Sequence, residues 1–403
     1  GGRALHRAGA RLNPLLALAL ALQAAGADPT GPWRGALDLA GGTLPFHLEI
    51  SRTAAGHAGR LCNGSACDVV EVRLEADSLR VEIPDYDARI VAAMRGDSLV
   101  GDYRNVGNRG PRTIPFRAAR GRWPAEPPDA RLAGSWDAFF GAPGGRQSPR
   151  VIRVWATEGG TEGTIIGNSG DSGLFWGAAR GDSLLLARFD GSYVYLLTAQ
   201  LEGDTLRGTW HAGLRSQTPF TAIRTSGRPH LTAPTEVTRA DTAPFQFAFP
   251  DLDGRRVTRD DPRFRGKVLL VDVFGTWCPT CHDAAPVLVQ LHRDYRDRGL
   301  EIVGLAYEVT GDSVVDNRQL RRYREKHGID FPLLLAGLND TELTAATLPQ
   351  LANFTAYPTT LFLDRRGRVR RVHAGFYGPA TGAQHERLVA EFRAEIERLL
   401  AEP

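Results

Sequence analysis

The spacing of apolar and polar residues divides the chain into two regions. From residue 31 to 225, short runs alternate between apolar and polar positions, as in Leu44–Ile50 and Val70–Leu74. Gly, Asp and Asn interrupt these runs about every ten residues, a pattern typical of an antiparallel β-sandwich or barrel. From residue 243 onward, apolar runs alternate with segments of helical spacing. The pattern therefore predicts a multidomain protein, with two all-β antiparallel units before an α/β domain.

The β region contains an internal repeat. The segment around Trp33 matches the segment around Trp136, and Pro115–Arg120 matches Pro219–Arg224. Matching positions are offset by 103 to 107 residues, so the two copies align with little insertion. We predict β module 1 over residues 28–121 and β module 2 over residues 132–225. Each copy has about eight strands by the pattern of apolar runs and turns. A closed or nearly closed meander of eight strands would remove exposed strand edges.

The composition and the spacing of apolar residues change after the second copy. Residues 226–242 have the Pro, Ser and Thr content of an exposed linker, and the last domain is predicted over residues 243–403. Its helices and strands should form a central sheet covered by helices. The predicted elements are a leading hairpin at 245–258, strands at 267–274, 300–306, 331–335, 359–364 and 369–374, and helices at 315–328, 340–351 and 384–401.

The N-terminus has the parts of a secretory signal. Arg3, Arg7 and Arg11 precede an apolar run at Pro14–Leu22, and small residues at Ala25–Ala27 form a cleavage site. The apolar run is shorter than the ~20 residues that a membrane-spanning helix needs. We predict a signal peptide over residues 1–27 and export to the periplasm or cell envelope. An uncleaved membrane anchor is the alternative.

Charge and composition argue against two classes of partner. The chain has 49 Lys and Arg against 46 Asp and Glu, a net charge of +3, and no basic block. Nucleic-acid binding is therefore not predicted. The β modules carry no His, Asp or Glu clustered at ligand spacing, so no metal site is predicted. The default role of the modules is a scaffold or docking unit.

The first cysteine pair lies at a hairpin tip. Cys62 and Cys67 flank Asn63-Gly64, a dipeptide that favours tight turns between antiparallel strands. Cysteines on the two sides of such a turn can face each other at disulfide distance. We predict a structural disulfide between them, and a second redox-active pair is the alternative.

The second pair has a different context. Cys278 and Cys281 form a Cys-x-x-Cys motif between an apolar run at 268–274 and a segment of helical spacing. This order of strand, tight turn and helix indicates thiol redox chemistry. The N-terminus of a helix stabilises a thiolate, because its N–H groups are unpaired and its dipole is positive there. Cys278 lies at that end and is the predicted nucleophile, with Cys281 one turn further in.

The last domain resembles the thioredoxin superfamily, and within it the TlpA/ResA-like disulfide reductases of the bacterial envelope. Trp277–Cys281 resembles the active-site motif, Pro286 the kinking proline of the following helix, and Tyr357–Thr360 the cis-proline loop. Ala243–Phe245 and Leu252–Gly254 resemble the entry hairpin of the family. The resemblance covers residues 243–402, whereas the β modules resemble only loosely the domains that precede such reductases.

The resemblance implies a reductase mechanism. Cys278 would attack a substrate disulfide, and Cys281 would resolve the mixed disulfide. Trp277, Pro279, Tyr357 and Pro358 would contact an extended substrate segment, and Pro358 is expected to be cis. No cofactor is expected besides the redox-active Cys278–Cys281 disulfide. The implied partners are disulfide-containing envelope proteins, with apocytochrome c as one target, and a membrane thiol electron donor.

Two carboxyl groups are candidates for accepting the proton of Cys281. Asp272 lies six residues before Cys278, where thioredoxins have a buried acid. Glu308, after the strand at 300–306, matches a glutamate that many TlpA/ResA-like proteins use. A buried carboxyl has a raised pKa and can accept a proton near neutral pH. The sequence leaves open how the two acids divide this work.

Other functions remain as alternatives. Cys278–His282 fits the c-type haem attachment pattern. However, haem explains neither the preceding strand nor Tyr357-Pro358, so no haem is predicted and His282 is expected to be exposed. A peroxiredoxin-like peroxidase would need a threonine where Gly275 stands. The non-enzymatic alternative is a β-module binding protein whose last domain only senses redox state.

Overall fold

The first all-β unit is a closed barrel of eight antiparallel strands. The computed structural model describes residues 28–75, 78–107, 110–227, 230–241 and 243–403, so the predicted signal peptide lies outside the described residues. Each strand pairs with the next, and the eighth returns to pair with the first. The strands are β1 (Gly31–Leu39), β2 (Gly42–Thr53), β3 (Gly56–Asn63), β4 (Ala66–Glu75), β5 (Ser78–Ile83), β6 (Ala88–Arg95), β7 (Ser98–Gly107) and β8 (Gly110–Arg120).

The second all-β unit repeats this architecture. It is also a closed eight-stranded barrel, in which the last strand pairs with the first. The prediction of two antiparallel β units is thus confirmed, and both close fully. The strands are β9 (Gly134–Phe140), β10 (Ser148–Thr157), β11 (Gly160–Gly167), β12 (Gly170–Arg180), β13 (Ser183–Phe189), β14 (Val194–Glu202), β15 (Thr205–Ala212) and β16 (Ser216–Arg224).

The two copies close in the same way around a tryptophan. Trp33 and Trp136 are buried, and each indole N–H donates to a carbonyl four residues earlier, that of Pro29 at 2.8 Å and of Leu132 at 3.1 Å. Arg120 and Arg224 from the last strands lie over these rings, 4.4 and 4.0 Å from the ring centroids. The repeat therefore encodes the seam that joins the first and last strands.

The barrels pack against each other through β13. Phe189 of the second barrel lies in the apolar core of the first, with its ring centroid 4.7 Å from that of Phe46. Asn63, at the end of β3, completes the contact. Its side-chain amide donates to the carbonyl of Phe189 at 2.9 Å and accepts from the amide of Phe189 at 2.8 Å. Because Asn63 is buried, these two bonds satisfy polar groups that cannot reach water.

A disulfide joins Cys62 and Cys67, which are directly opposite across β3 and β4. The bond encloses the hairpin tip that carries Asn63. It therefore constrains the segment that contacts the second barrel.

Replacing both Cys62 and Cys67 with alanine should lower the free energy of unfolding by about 2 kcal/mol, because the bond closes only a short loop in the unfolded chain. Urea unfolding followed by fluorescence measures the change. The difference from wild type should vanish when wild type is unfolded in a phosphine reductant. An equal stability of the two proteins without reductant would contradict a structural role.

The last domain is an α/β unit with a five-stranded central sheet in the order β22-β21-β20-β24-β25. In chain order its elements are α1 (Pro234–Val237), β17 (Arg239–Ala240), β18 (Ala248–Pro250), β19 (Arg256–Thr258), β20 (Val268–Phe274), α2 (Pro279–Tyr295), β21 (Leu300–Glu308), α3 (Ser313–His327), β22 (Leu333–Leu338), α4 (Thr341–Thr347), β23 (Leu351–Ala352), β24 (Thr359–Leu363), β25 (Val369–Ala374) and α5 (Ala383–Leu400). β20 is central, parallel to β21 and antiparallel to β24. No helix within the described ranges has the length and apolar character needed to cross a membrane.

The central strand explains the position of the buried acid. Every residue of β20 is buried, and successive side chains point to opposite faces of the sheet. Val268, Leu270 and Phe274 pack in the core with α2, α3 and α5, whereas Leu269 and Val271 pack on the other face. Asp272 has the same parity as Leu270 and Phe274. It therefore points to the side of the sheet on which α2 begins.

Candidate active site

The two cysteines of the second pair are free thiols at the start of α2. Cys278 is the N-cap residue, and its sulfur accepts a hydrogen bond from the amide of Cys281 at 3.4 Å. The same amide also donates to the backbone carbonyl of Cys278 at 2.9 Å, so the sulfur shares this donor at the positive end of the helix dipole. Both cysteines are only 1% exposed.

The turn before Cys278 needs a glycine. A Cβ atom at Gly275 would lie 2.6 Å from the carbonyl oxygen of Tyr307 and would also meet the indole of Trp277. That indole donates to the same Tyr307 carbonyl at 2.9 Å. A threonine at position 275, which a peroxiredoxin-type site would need, does not fit this turn.

The loop before β24 lies against the nucleophile. The Tyr357–Pro358 peptide bond is cis, and the carbonyl of Tyr357 is 3.6 Å from the sulfur of Cys278. The ring of Tyr357 contacts Trp277 edge-on, with centroids 5.5 Å apart, and its hydroxyl is 2.6 Å from that of Thr344. Three of the predicted substrate-contact residues, Trp277, Tyr357 and Pro358, thus adjoin Cys278. Pro279 is the first residue of α2 and is buried.

Asp272 is buried beneath the dithiol, and burial raises the pKa of its carboxyl to about 7. The hydroxyl of Thr360 donates to it at 3.4 Å, which partly offsets this rise. Burial also raises the pKa of the Cys281 thiol well above its usual value, and Cys278 and Asp272 add to this shift. Asp272 thus lies on the side of β20 on which α2 begins, and its charge adds to the raised pKa of Cys281.

Glu308 is also buried, but it has another partner. Its two carboxylate oxygens accept from the amide and the hydroxyl of Thr276, at 2.9 and 2.7 Å. Burial raises its pKa to about 7, and the bonds from Thr276 oppose this rise. The structure therefore places both predicted acids near the turn, with Asp272 buried on the α2 side of β20 and Glu308 bonded to Thr276.

The expectation that His282 is exposed was wrong. His282 is 8% exposed, and its Nε2 lies 2.9 Å from the carbonyl oxygen of Thr276, so Nε2 donates the proton. Its Nδ1 therefore accepts from Nε2 of His327, also at 2.9 Å. Burial lowers the pKa of His282 well below its usual value, so the ring is neutral. His282 therefore links the turn at Thr276 to His327 at the end of α3.

Sequence reasoning missed two further contributions to the site. Tyr323 of α3 donates from its hydroxyl to the carbonyl of Cys281 at 2.8 Å. The second barrel supplies the other, because Ser192 donates from its hydroxyl to the carbonyl of Trp277 at 2.6 Å. The helical spacing of α3 was visible in the sequence, but nothing in the β module marked a residue that reaches the dithiol.

The kinking proline lies where the motif predicted. Pro286 is inside α2 and exposed, one helical turn after His282. It has no N–H to donate, so it interrupts the hydrogen-bond ladder of the helix. Cys278 and Cys281 lie on the N-terminal side of this interruption.

Several known proteins are similar to the C-terminal part of this chain. The sequence model of the AhpC/TSA family matches residues 240–372. Thiol-disulfide oxidoreductase ResA of Geobacillus thermodenitrificans is 31% identical over 145 residues, which are 36% of this chain and 74% of that protein. Thioredoxin-like protein YneN of Bacillus subtilis is 27% identical over 131 residues, which are 32% of this chain and 68% of that protein.

Among solved structures, a thiol:disulfide interchange protein of the thioredoxin family from Chlorobium tepidum is 25% identical. The match covers 40% of this chain and 98% of that chain, with a TM-score of 0.31. The match to ResA extends over most of that relative, and the cysteines, the cis-proline loop and the buried acid form one site. Through its C-terminal domain, the chain belongs to the ResA-like family of thiol-disulfide oxidoreductases.

Proposed function

We propose that the protein is an exported disulfide reductase that uses Cys278 and Cys281 as a dithiol. The observation that carries the proposal is the free thiol of Cys278, which caps α2 and lies beside the Tyr357–Pro358 loop. The amide of Cys281 donates to this sulfur at 3.4 Å, so the nucleophile lies at the N-terminus of α2, a position typical of redox-active cysteines.

The first step forms a mixed disulfide. The Cys278 thiolate attacks one sulfur of the substrate disulfide, the Cys278–substrate bond forms, and the other substrate sulfur leaves as a thiolate. Backbone groups of the loop at Tyr357 and Pro358 would align an extended substrate segment beside the sulfur. Trp277 would form one wall of this contact.

The second step releases the substrate. Cys281 gives its proton to Asp272 and attacks the sulfur of Cys278, which forms the Cys278–Cys281 disulfide and frees the second substrate thiolate. Asp272 suits this role, because its pKa of about 7 lets it accept a proton near neutral pH and because it is buried on the side of β20 on which α2 begins. A thiol donor then supplies two electrons and two protons to restore the dithiol.

The location and partners of the reaction are part of the proposal. The pattern of residues 1–27 favours export, and the donor would then be a membrane thiol carrier. The substrates would be oxidised envelope proteins, with apocytochrome c among them. Paired cysteines persist as disulfides in such a compartment, which agrees with the Cys62–Cys67 bond.

Insulin reduction with dithiothreitol tests the proposal. We expect the reduced protein to accelerate insulin precipitation, and Cys278→Ser to give the background rate. A parallel assay of hydrogen peroxide consumption tests the peroxidase alternative. Background insulin reduction by a protein that carries an intact dithiol would favour the alternative of a binding protein with a redox-sensing domain.

A further inference from the structure

A four-residue loop of the second barrel lies across the entrance to the dithiol. We propose that this loop, Asp190–Tyr193 between β13 and β14, is a specificity element that keeps bulky disulfides away from Cys278. We call it the barrel loop. The effect on substrate selectivity rests on the proposed reductase function, whereas the shielding of Cys278 can be measured separately.

The barrel loop contacts both flanks of the nucleophile. The hydroxyl of Ser192 donates to the carbonyl of Trp277 at 2.6 Å, and the hydroxyl of Tyr193 is 3.5 Å from that of Thr280. Trp277 and Thr280 lie on either side of Cys278, whose exposure is 1%. A substrate that contacts Cys278 and the cis-proline loop must therefore displace or bypass the barrel loop.

The shape of the loop is fixed internally. One oxygen of the Asp190 carboxylate accepts from the amides of Ser192 and Tyr193, at 2.9 and 2.7 Å. Arg188 donates to the other oxygen at 2.9 Å, and both members of this ion pair are largely buried. Gly191 has φ of 99°, a conformation that favours glycine.

The first barrel holds the loop in place from outside. Tyr103 donates from its hydroxyl to the carbonyl of Gly191 at 2.8 Å, and Arg112 donates to the carbonyl of Ser192 at 2.9 Å. Asn63 makes its two bonds to the backbone of Phe189, the residue directly before the loop. The hairpin tip with the Cys62–Cys67 disulfide therefore supports the loop that covers the redox dithiol.

The equivalent loop of the first barrel also contacts the redox domain. Pro84–Asp87 connects β5 to β6, as the barrel loop connects β13 to β14, and both have four residues. Tyr86 packs edge-on against His282, with centroids 5.2 Å apart, and Asp85 pairs with Lys326 of α3. The duplication thus places two copies of one connection against the redox domain, and of these two the second contacts the residues that flank Cys278.

The first test measures access to Cys278 in the reduced full-length protein. Iodoacetamide at fixed pH should alkylate Cys278 at least tenfold faster in the double variant Ser192→Ala, Tyr193→Ala than in wild type, as followed by peptide mass spectrometry. Asn63→Ala, which only loosens the support of the loop, should give a smaller acceleration. Asp204→Ala, in the exposed turn after β14 of the same barrel, is the matched control and should react like wild type.

The second test measures selectivity. The ratio of the rates for insulin and for bis(2-hydroxyethyl) disulfide should rise at least fivefold in the double variant, mainly through a lower KM for insulin. Equal alkylation rates in wild type, the double variant and Asn63→Ala would overturn the proposal. Faster alkylation with background reduction in every variant would support the shielding of Cys278 and overturn the reductase function instead.

Discussion

Replacing Cys281 with alanine should stop turnover and leave the protein covalently attached to its substrates through Cys278. The first attack needs only Cys278, whose sulfur caps α2. The release step needs a second thiol, and among the described residues the other two cysteines are joined in a disulfide far along the chain. We expect kcat to fall at least about 10³-fold, equivalent to about 4 kcal/mol of activation free energy.

Non-reducing electrophoresis and mass spectrometry detect these adducts, which dithiothreitol should release. Cys278→Ala is the matched control, because it keeps a single thiol in the same turn. Burial raises the pKa of the Cys281 thiol, so that variant should trap little or no substrate. Adducts formed mainly through Cys281 would reverse the assignment of the nucleophile.

Replacing Asp272 with asparagine should slow the release step by about 10² to 10⁴-fold, the usual contribution of a positioned acid or base. The wild-type rate of this step should rise as the pH increases through about 7, because Asp272 accepts a proton only when it is ionised. The asparagine variant should lose this dependence. Single-turnover kinetics from pH 5.5 to 8.5 measure both effects.

Glu308→Gln is the matched control for this change. It makes the same chemical substitution at a second buried acid whose pKa is also raised to about 7. Since Glu308 bonds to Thr276, we expect the release step to change only a few-fold. A large loss in Glu308→Gln with a normal rate in Asp272→Asn would show that Glu308 is the proton acceptor.

The same aspartate should make stability depend on pH. Its folded-state pKa of about 7 lies above its ordinary value of 3.8, so the folded protein holds the proton more tightly. The contribution of this protonated carboxyl to the free energy of unfolding is fully present below about pH 4 and is lost as the pH rises through 7. At alkaline pH, the free energy of unfolding of Asp272→Asn should therefore exceed that of wild type by an amount on the order of 4 kcal/mol. Urea unfolding of the two proteins measures this difference.

Much of the C-terminal domain was predictable because its signals are local. The apolar run of β20 and the helical spacing of α2 each follow from residues close together in the sequence. The predicted helix at 384–401 and the observed α5 (Ala383–Leu400) differ by one residue at each end. The predicted helix at 340–351 is shorter in the structure, because α4 ends at Thr347 and the chain then forms β23, which pairs with β17.

The rest of the site depends on contacts between distant parts of the chain. Ser192 and Trp277 are 85 residues apart, and Asn63 and Phe189 are 126 residues apart. The sequence of Asp190–Tyr193 is typical of an exposed turn, and only tertiary packing brings these residues to the dithiol. His282 was misjudged for the same reason, because its partner His327 comes from α3.

The way each barrel closes has a consequence for how such chains evolve. The register pairs Trp33 with Arg120 in one barrel and Trp136 with Arg224 in the other, so the backbone leaves each barrel beside the point at which it enters. A unit of this kind can be inserted, duplicated or deleted by recombination at its two ends without rethreading the rest of the chain. In this chain the two copies of one connection now differ in what they contact: Pro84–Asp87 packs against His282 and Lys326, and Asp190–Tyr193 contacts the residues that flank Cys278.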